Sequence, residues 1–242
     1  MRGTFFLEGT ELILKTQEES WCQGDIVNTS LEIKGEVIKR EDFFFGLYLC
    51  DLKKLKKKEE GFLKENIITH SLKELKANNE FSFPLSIKAP ITDTSLTPCL
   101  FVGNPKKISE GGLLQLQVKP WKPIQELLGL IENFERFKIK TIKNKKDQIS
   151  IALIPPASKE YGHIQSLTIV LNRTEEDLKF QFEFKIKKLG YEAGQVQSMI
   201  EKKVIKKSFP EKDLFFFGDS LNQDKILAFF KETLQETKRP VP

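Results

Sequence analysis

Between residues 178 and 186 every second side chain is large and apolar: Leu178, Phe180, Phe182, Phe184 and Ile186 alternate with Lys179, Gln181, Glu183 and Lys185. A period of two belongs to a strand with one face buried and the other wet. Leu167, Ile169 and Leu171 keep the same period just before it, and residues 172–177 supply turn chemistry. The two runs therefore predict an antiparallel hairpin, whose face bearing Lys179, Lys185 and Lys187 meets water or something polar.

The same reasoning places strands through the first half. Glu11 to Thr16 reads as a strand and Trp21 to Asp25 as a turn. Val27, Thr29, Leu31 and Ile33 then lie on one face, with Asn28, Ser30, Glu32 and Lys34 on the other. Phe43 to Leu52 is apolar on both faces, as in a central strand covered on each side or one passing under a linker. Phe81, Phe83, Leu85 and Ile87 alternate again, and Pro84 confines that strand to an edge or a bulge. Leu114, Leu116 and Val118 close the half after a Gly111-Gly112 turn. Short strands at this spacing predict an antiparallel sandwich.

At Lys119-Pro-Trp-Lys-Pro123 the pattern breaks, because two prolines three apart remove backbone donors and disfavour helix in the residues before them. Pro123 suits the first turn of a helix, and Ile124, Leu127, Leu128, Ile131 and Phe134 fall on one helical face. After it come strands at Phe137 to Ile142 and Gln148 to Ile154, the second stopped by Pro155-Pro156. Gln195 to Ile205 admits either a short helix or a strand. Leu214 to Phe217 reads as a strand, and Ser220 with Gln223 as a capping box before a closing helix with Ile226, Leu227, Phe230 and Leu234 on its apolar face. The tail from Lys238 to Pro242 reads as frayed. The expected architecture is mainly β: two antiparallel β-sandwich domains in tandem, residues 1–119 and 120–242, with a short helix after the linker and a C-terminal helix.

Charge is spread unevenly between the halves. The first 120 residues carry 17 basic and 17 acidic groups, so the formal net charge of +5 falls in the remainder. No apolar run is long enough to span a bilayer, and the N-terminal segment meets Glu8 too early for a signal peptide, so cytoplasmic residence is expected. Cys22, Cys50 and Cys99 are odd in number and far apart, which suits reduced structural thiols.

Two lysine clusters stand out. Lys53, Lys54, Lys56, Lys57 and Lys58 are candidates for an anion, although Glu59 and Glu60 partly neutralise them and a solvated hairpin tip is the plainer reading. Lys179, Lys185, Lys187, Lys202, Lys203, Lys206 and Lys207 are candidates for an acidic protein partner.

Gly218-Asp-Ser-Leu221 resembles the nucleophile block of the GDSL esterases. In that family a downstream Asp-x-x-His supplies the base. Here the only histidines, His70 and His163, lie upstream of Ser220 and outside such a context, so a capping serine is the better reading. No spacing of Cys, His, Asp or Glu suggests a metal site, and no glycine-rich phosphate loop is present. No cofactor and no nucleic acid is expected, since the aromatic stripe Phe180, Phe182, Phe184 reads as core.

The tandem β arrangement resembles the arrestin-like fold. Gln23-Gly24-Asp25 is similar to the Pro-Gly-Glu turn of that fold's first domain, and Phe81-Ser-Phe-Pro-Leu-Ser-Ile-Lys-Ala-Pro90 with Thr94-Ser95 to its Phe-x-Phe strand. The bacterial sporulation-control branch matches better: Ile154-Pro-Pro156, Tyr161-Gly-His-Ile164 and Leu178 to Lys188 follow its order. The chain departs from that branch at Ser166-Leu167-Thr168 and at Lys185-Ile-Lys-Lys188. The resemblance implies a non-enzymatic cytoplasmic adaptor or regulatory scaffold that binds protein partners through sheet faces and loops. The alternative is a peripheral module contacting an anionic membrane surface through lysines, and after it an esterase at Ser220.

Overall fold

In the computed structural model, residues 1–35, 41–93, 95–107, 110–145, 148–174, 176–192, 195–216 and 220–238 are described. The chain divides into two compact units, Met1–Trp121 and Lys122–Pro242. Both are built mainly from antiparallel sheet, as the alternating runs predict.

In the first unit the strands are β1 (Arg2–Leu7), β2 (Thr10–Thr16), β3 (Ser20–Cys22), β4 (Ile26–Lys34) and β5 (Phe44–Asp51). A helical segment, α1 (Leu52–Lys57), leads to β6 (Leu63–Ser71), β7 (Asn78–Pro84), β8 (Leu96–Gly103), β9 (Gly111–Gln115) and β10 (Gln117–Lys119). Two four-stranded sheets form, in the orders β1-β2-β4-β7 and β6-β5-β8-β9. Leu12, Leu14, Val27, Leu31 and Phe83 from one sheet pack with Phe45, Leu47, Leu100 and Val102 from the other in one buried cluster. Burying a side chain of this size is worth about 1.5–3 kcal/mol, so this layer dominates the stability of the unit. The strand bearing Pro84 lies at a sheet edge, where its missing N–H costs no ladder bond.

β5 is buried on both faces because a second cluster forms behind it. Tyr48, Cys50, Cys99, Phe101 and Phe62 make that cluster, with Leu55 of α1 against it. The lysine-rich stretch is therefore a helical turn and not a hairpin tip. Asp51 caps it, its Oδ1 accepting from the Lys53 and Lys54 amides at 3.0 and 3.3 Å. The basic residues near its end suit the negative pole of the helix.

Two further expectations in this unit are corrected. Trp21 and Cys22, expected in the turn to Asp25, belong to β3, which pairs in parallel with β10, and the turn is confined to Gln23-Gly24. The pairing is tied by Gln23, whose Nε2 donates to Ala89 O at 2.6 Å and whose Oε1 accepts from the Trp121 amide at 3.2 Å. Gly111 and Gly112 lie within β9, opposite Gly103 and Val102, instead of in a turn. A Cβ at Gly112 would stand 2.1 Å from the Phe5 ring, so glycine here makes room for an aromatic side chain of β1. Thr94 lies outside the described residues.

The second unit begins with α2 (Lys122–Phe134), followed by β11 (Lys138–Lys145), β12 (Gln148–Ile154), β13 (Ile164–Arg173), β14 (Asp177–Glu192) and β15 (Gln195–Pro210). The strands run as a five-stranded antiparallel meander in sequence order. Residues 195–205 are thus strand. Helical segments α3 (Glu211–Leu214) and α4 (Gln223–Glu236) close the chain. The layer covering this sheet is helical: Phe229 of α4 lies 5.1 Å from Phe180 and 5.2 Å from Phe209 between ring centres, and Phe230 lies 6.1 Å from Phe182. Ile124, Leu127, Leu128 and Ile131 of α2 are buried as their spacing predicts, whereas Phe134 at its end is exposed.

Glu211–Leu214 is helical, so the strand expected at Leu214 to Phe217 is reduced to a single bridge between Phe215 and Leu221. The cap of α4 is Asn222, whose Oδ1 accepts from the Lys225 amide at 3.3 Å; Ser220 sits two residues too early. β11 runs three residues past the expected end at Ile142, to Lys145. Phe217, Gly218 and Asp219 lie outside the described residues, as do residues 146–147, part of the turn expected at 172–177 and the tail beyond Lys238.

Candidate functional site

Strand pairing decides which lysines share a surface. Residues directly opposite in an antiparallel pair project to the same face. Phe180, Phe182 and Phe184 of β14 turn inward beneath α4, and opposite them stand Lys207, Ile205 and Lys203 of β15. Lys179, Gln181, Glu183, Lys185 and Lys187 turn outward, opposite Ser208, Lys206, Val204, Lys202 and Ile200. The outer face therefore gathers five of the seven candidate lysines: Lys179, Lys185, Lys187, Lys202 and Lys206. All five are exposed.

Lys203 and Lys207 belong to the other face and serve the helix. Lys207 Nζ lies 2.8 Å from Glu236 Oε1 and 3.2 Å from Glu232 Oε1, and Lys203 Nζ donates to Glu236 O at 2.8 Å. The reason is the register, since a doublet of adjacent lysines must place one on each side of a strand.

On the outer face Lys185 stands directly opposite Lys202. Like charges in register repel, so this pair lowers stability unless something negative lies over it. Glu183 is an acid on the same face two residues from Lys185 along β14, opposite Val204, and it is already held by Gln181 Nε2 at 2.7 Å and Lys145 Nζ at 3.6 Å. Beside Lys179 and Lys206 the sheet forms a depression of about 360 Å³, whose lining includes Val170, Asn172, Gln181 and Ser208. Its apolar floor and cationic rim were missed in the sequence. The signal available was Val170 at a position otherwise occupied by polar residues, between Thr168 and Asn172.

Lys53, Lys56, Lys57 and Lys58 are exposed on or next to α1, while Lys54 is half-buried. Lys57 pairs with Glu59 at 3.6 Å. Hydrogen bonding from the Lys54 amide, with a contribution from Lys64, holds the Asp51 carboxyl below the usual carboxylate range, so an acid remains beside this cluster.

A second depression, of about 420 Å³, lies between the ends of α2 and α4. At its floor the Tyr161 hydroxyl donates to the buried Glu135 Oε2 at 2.6 Å, and Lys231 Nζ lies 3.7 Å from Glu135 Oε1. Burial, then the Glu135 hydrogen bond, pushes the Tyr161 phenol well up, so it stays protonated and acts as a donor staple.

Ser220 is exposed, and its carbonyl accepts from the Phe216 amide at 2.9 Å. His163 Nε2 is 2.8 Å from Thr237 Oγ1, where the imidazole joins the end of α4 to the β12–β13 connection. Cys50 and Cys99 are both fully buried, and burial pushes the Cys99 thiol up, away from reactive thiolate. Among the described residues no group of three or more His, Cys, Asp or Glu is placed to hold a metal, and no helix is long and apolar enough to cross a membrane.

No family profile and no curated protein sequence matches the chain. The chain is similar in structure to Spo0M, a sporulation control protein from Bacillus subtilis, with a TM-score of 0.62 and 13% identity. The likeness covers 94% of this chain and 98% of that one. At this identity it shows the fold, which is the arrestin-like tandem arrangement of β-rich units.

Proposed function

We propose that the protein is a non-enzymatic cytoplasmic adaptor or regulatory scaffold that binds an acidic protein partner through the outer sheet face of its second unit. The reading is carried by the Lys185–Lys202 cross-strand pair. Two cations held in register on an exposed sheet, with Lys179, Lys187 and Lys206 on the same face, are unfavourable alone and favourable against an acidic surface. The depression beside Lys179 and Lys206 offers an apolar foothold next to that charge. The likeness to a sporulation control protein supports a regulatory role through fold alone.

The test is affinity capture from the cell that makes the protein, with the native chain and a Lys179→Glu, Lys185→Glu, Lys202→Glu, Lys206→Glu variant as baits. A discrete acidic protein should be retained by the first and lost by the second, with unchanged circular dichroism. Equal retention by a folded variant would place the contact elsewhere.

A second reading rests on the four exposed lysines at α1, which offer cations to an anionic membrane. Each lysine near such a surface contributes about 1 kcal/mol, and salt weakens the attraction. Little sedimentation with phosphatidylserine vesicles is expected at physiological salt. Strong sedimentation abolished by Lys53→Gln, Lys56→Gln, Lys57→Gln and Lys58→Gln together would favour this reading instead.

A further inference from the structure

We propose that β15, on the side along which no described strand pairs with it, accepts an extended acidic segment of a partner protein as a sixth strand of the second sheet, an inference that rests on the adaptor reading. The sheet order ends on β15, which is paired along one side with β14 through 16 consecutive residue pairs without a register shift. The opposite edge, β11, is interrupted between Ile139 and Thr141. A regular edge presents its unpaired N–H and C=O groups at even spacing and can template another strand, whereas an irregular one cannot.

The side chains along this edge specify the visitor. On the outer face Ile200, Lys202, Val204 and Lys206 alternate apolar and cationic, and Ile200 and Val204 are 55% and 54% exposed. A strand that laid acids beside Lys202 and Lys206 and apolar groups beside Ile200 and Val204 would match both chemistries. On the inner face Lys203 and Lys207 are engaged by α4, and Glu201 pairs with Lys188. The inner side of the edge is therefore set before any partner arrives.

A second copy of the chain is the wrong visitor. Residues 199–208 carry four lysines against one glutamate, so two such edges brought together repel in any register. Lysines on an edge strand commonly serve only to prevent aggregation. Here the same charges that exclude a copy attract an acidic segment.

The test uses the full chain and a labelled ten-residue peptide built on the repeat Val-Thr-Glu-Thr, which alternates valine and glutamate along one face of a strand, read by fluorescence anisotropy at physiological salt. A second peptide of the same sequence carries N-methyl groups on consecutive backbone nitrogens through its centre, which keeps charge but removes the donors of both edges and so blocks strand pairing. Saturable binding is expected, weakened at least about tenfold by N-methylation and by Lys202→Glu with Lys206→Glu. Amide hydrogen exchange should slow within residues 199–208. Equal binding of the N-methylated peptide would overturn the proposal, because side-chain attraction alone would then suffice. So would no saturable binding, or lysine-dependent binding to phosphatidylserine vesicles with none to the peptide. If the peptide fails while the capture experiment still shows loss on charge reversal, the adaptor reading stands and the partner sits on the sheet face. If both fail, both are removed.

Discussion

Lys207 Nζ lies 2.8 Å from the Glu236 carboxylate, and the same ammonium sits 5.6 Å from the centre of the Phe229 ring. Its neighbour Lys206 points to the opposite face and is exposed. Two adjacent lysines thus have different surroundings, one clamping α4 to the sheet and one facing solvent. Lys207→Ala should cost about 1–2 kcal/mol, through the lost ion pair, the cation–π contact and the packing of its aliphatic stem. Lys206→Ala should stay within about 0.5 kcal/mol. Urea denaturation of both variants decides the matter, and equal effects would mean that the clamp contributes nothing.

Asn222 accepts from the Lys225 amide at the start of α4, and Ser220 does not. Asn222→Ala should lower stability by about 1 kcal/mol, and Ser220→Ala by much less. Hydrolysis of a short-chain ester that disappears in Ser220→Ala would instead make that serine a nucleophile.

His163 is held below its ordinary value of 6.5, first by burial and then by the nearby Lys238 charge. Because the folded state resists the proton, the unfolded state binds more protons as pH drops below about 6.5. The stabilisation is therefore complete above that pH and is lost as pH falls through the lower folded value. Thermal melts from pH 7.5 to 5 should show a decline that His163→Gln flattens. An unchanged slope in the variant would assign the decline to other groups.

Cutting the chain between Trp121 and Lys122 should give two fragments that each unfold cooperatively, since each unit contains its own paired sheet and buried apolar layer. The cut must follow Trp121, because its amide hydrogen bond to Gln23 secures the end of the first unit. A fragment ending at Lys119 should melt lower than one ending at Trp121. Identical melting temperatures would show that this tie is dispensable.

Strands in which polarity alternates can be read directly from the order of residues. β4, β12, β13 and β14 are legible because a half-buried strand writes its two faces into successive residues, and α2 because five apolar residues recur at helical spacing. β8 was not legible: Leu96 to Gly103 is buried almost throughout, so it carries no period. β1 and β6 were missed for a related reason, since they lie at sheet edges where the polarity pattern is weak. The turn at α1 is not legible because six residues are too few to show a helical period, and it lays Leu55 against the cluster of Tyr48, Cys50, Phe62, Cys99 and Phe101.

The division of the lysines between two faces comes from strand pairing. Lys202-Lys203 and Lys206-Lys207 contain no alternation from which a face could be read. Their faces were set by hydrogen-bonded register against β14, which places Lys203 opposite Phe184 and Lys207 opposite Phe180. Glu232 and Glu236 then neutralise Lys207 from a helix some 25 residues further along the chain. That partition depends on pairing partners distant in sequence, and no local propensity encodes it.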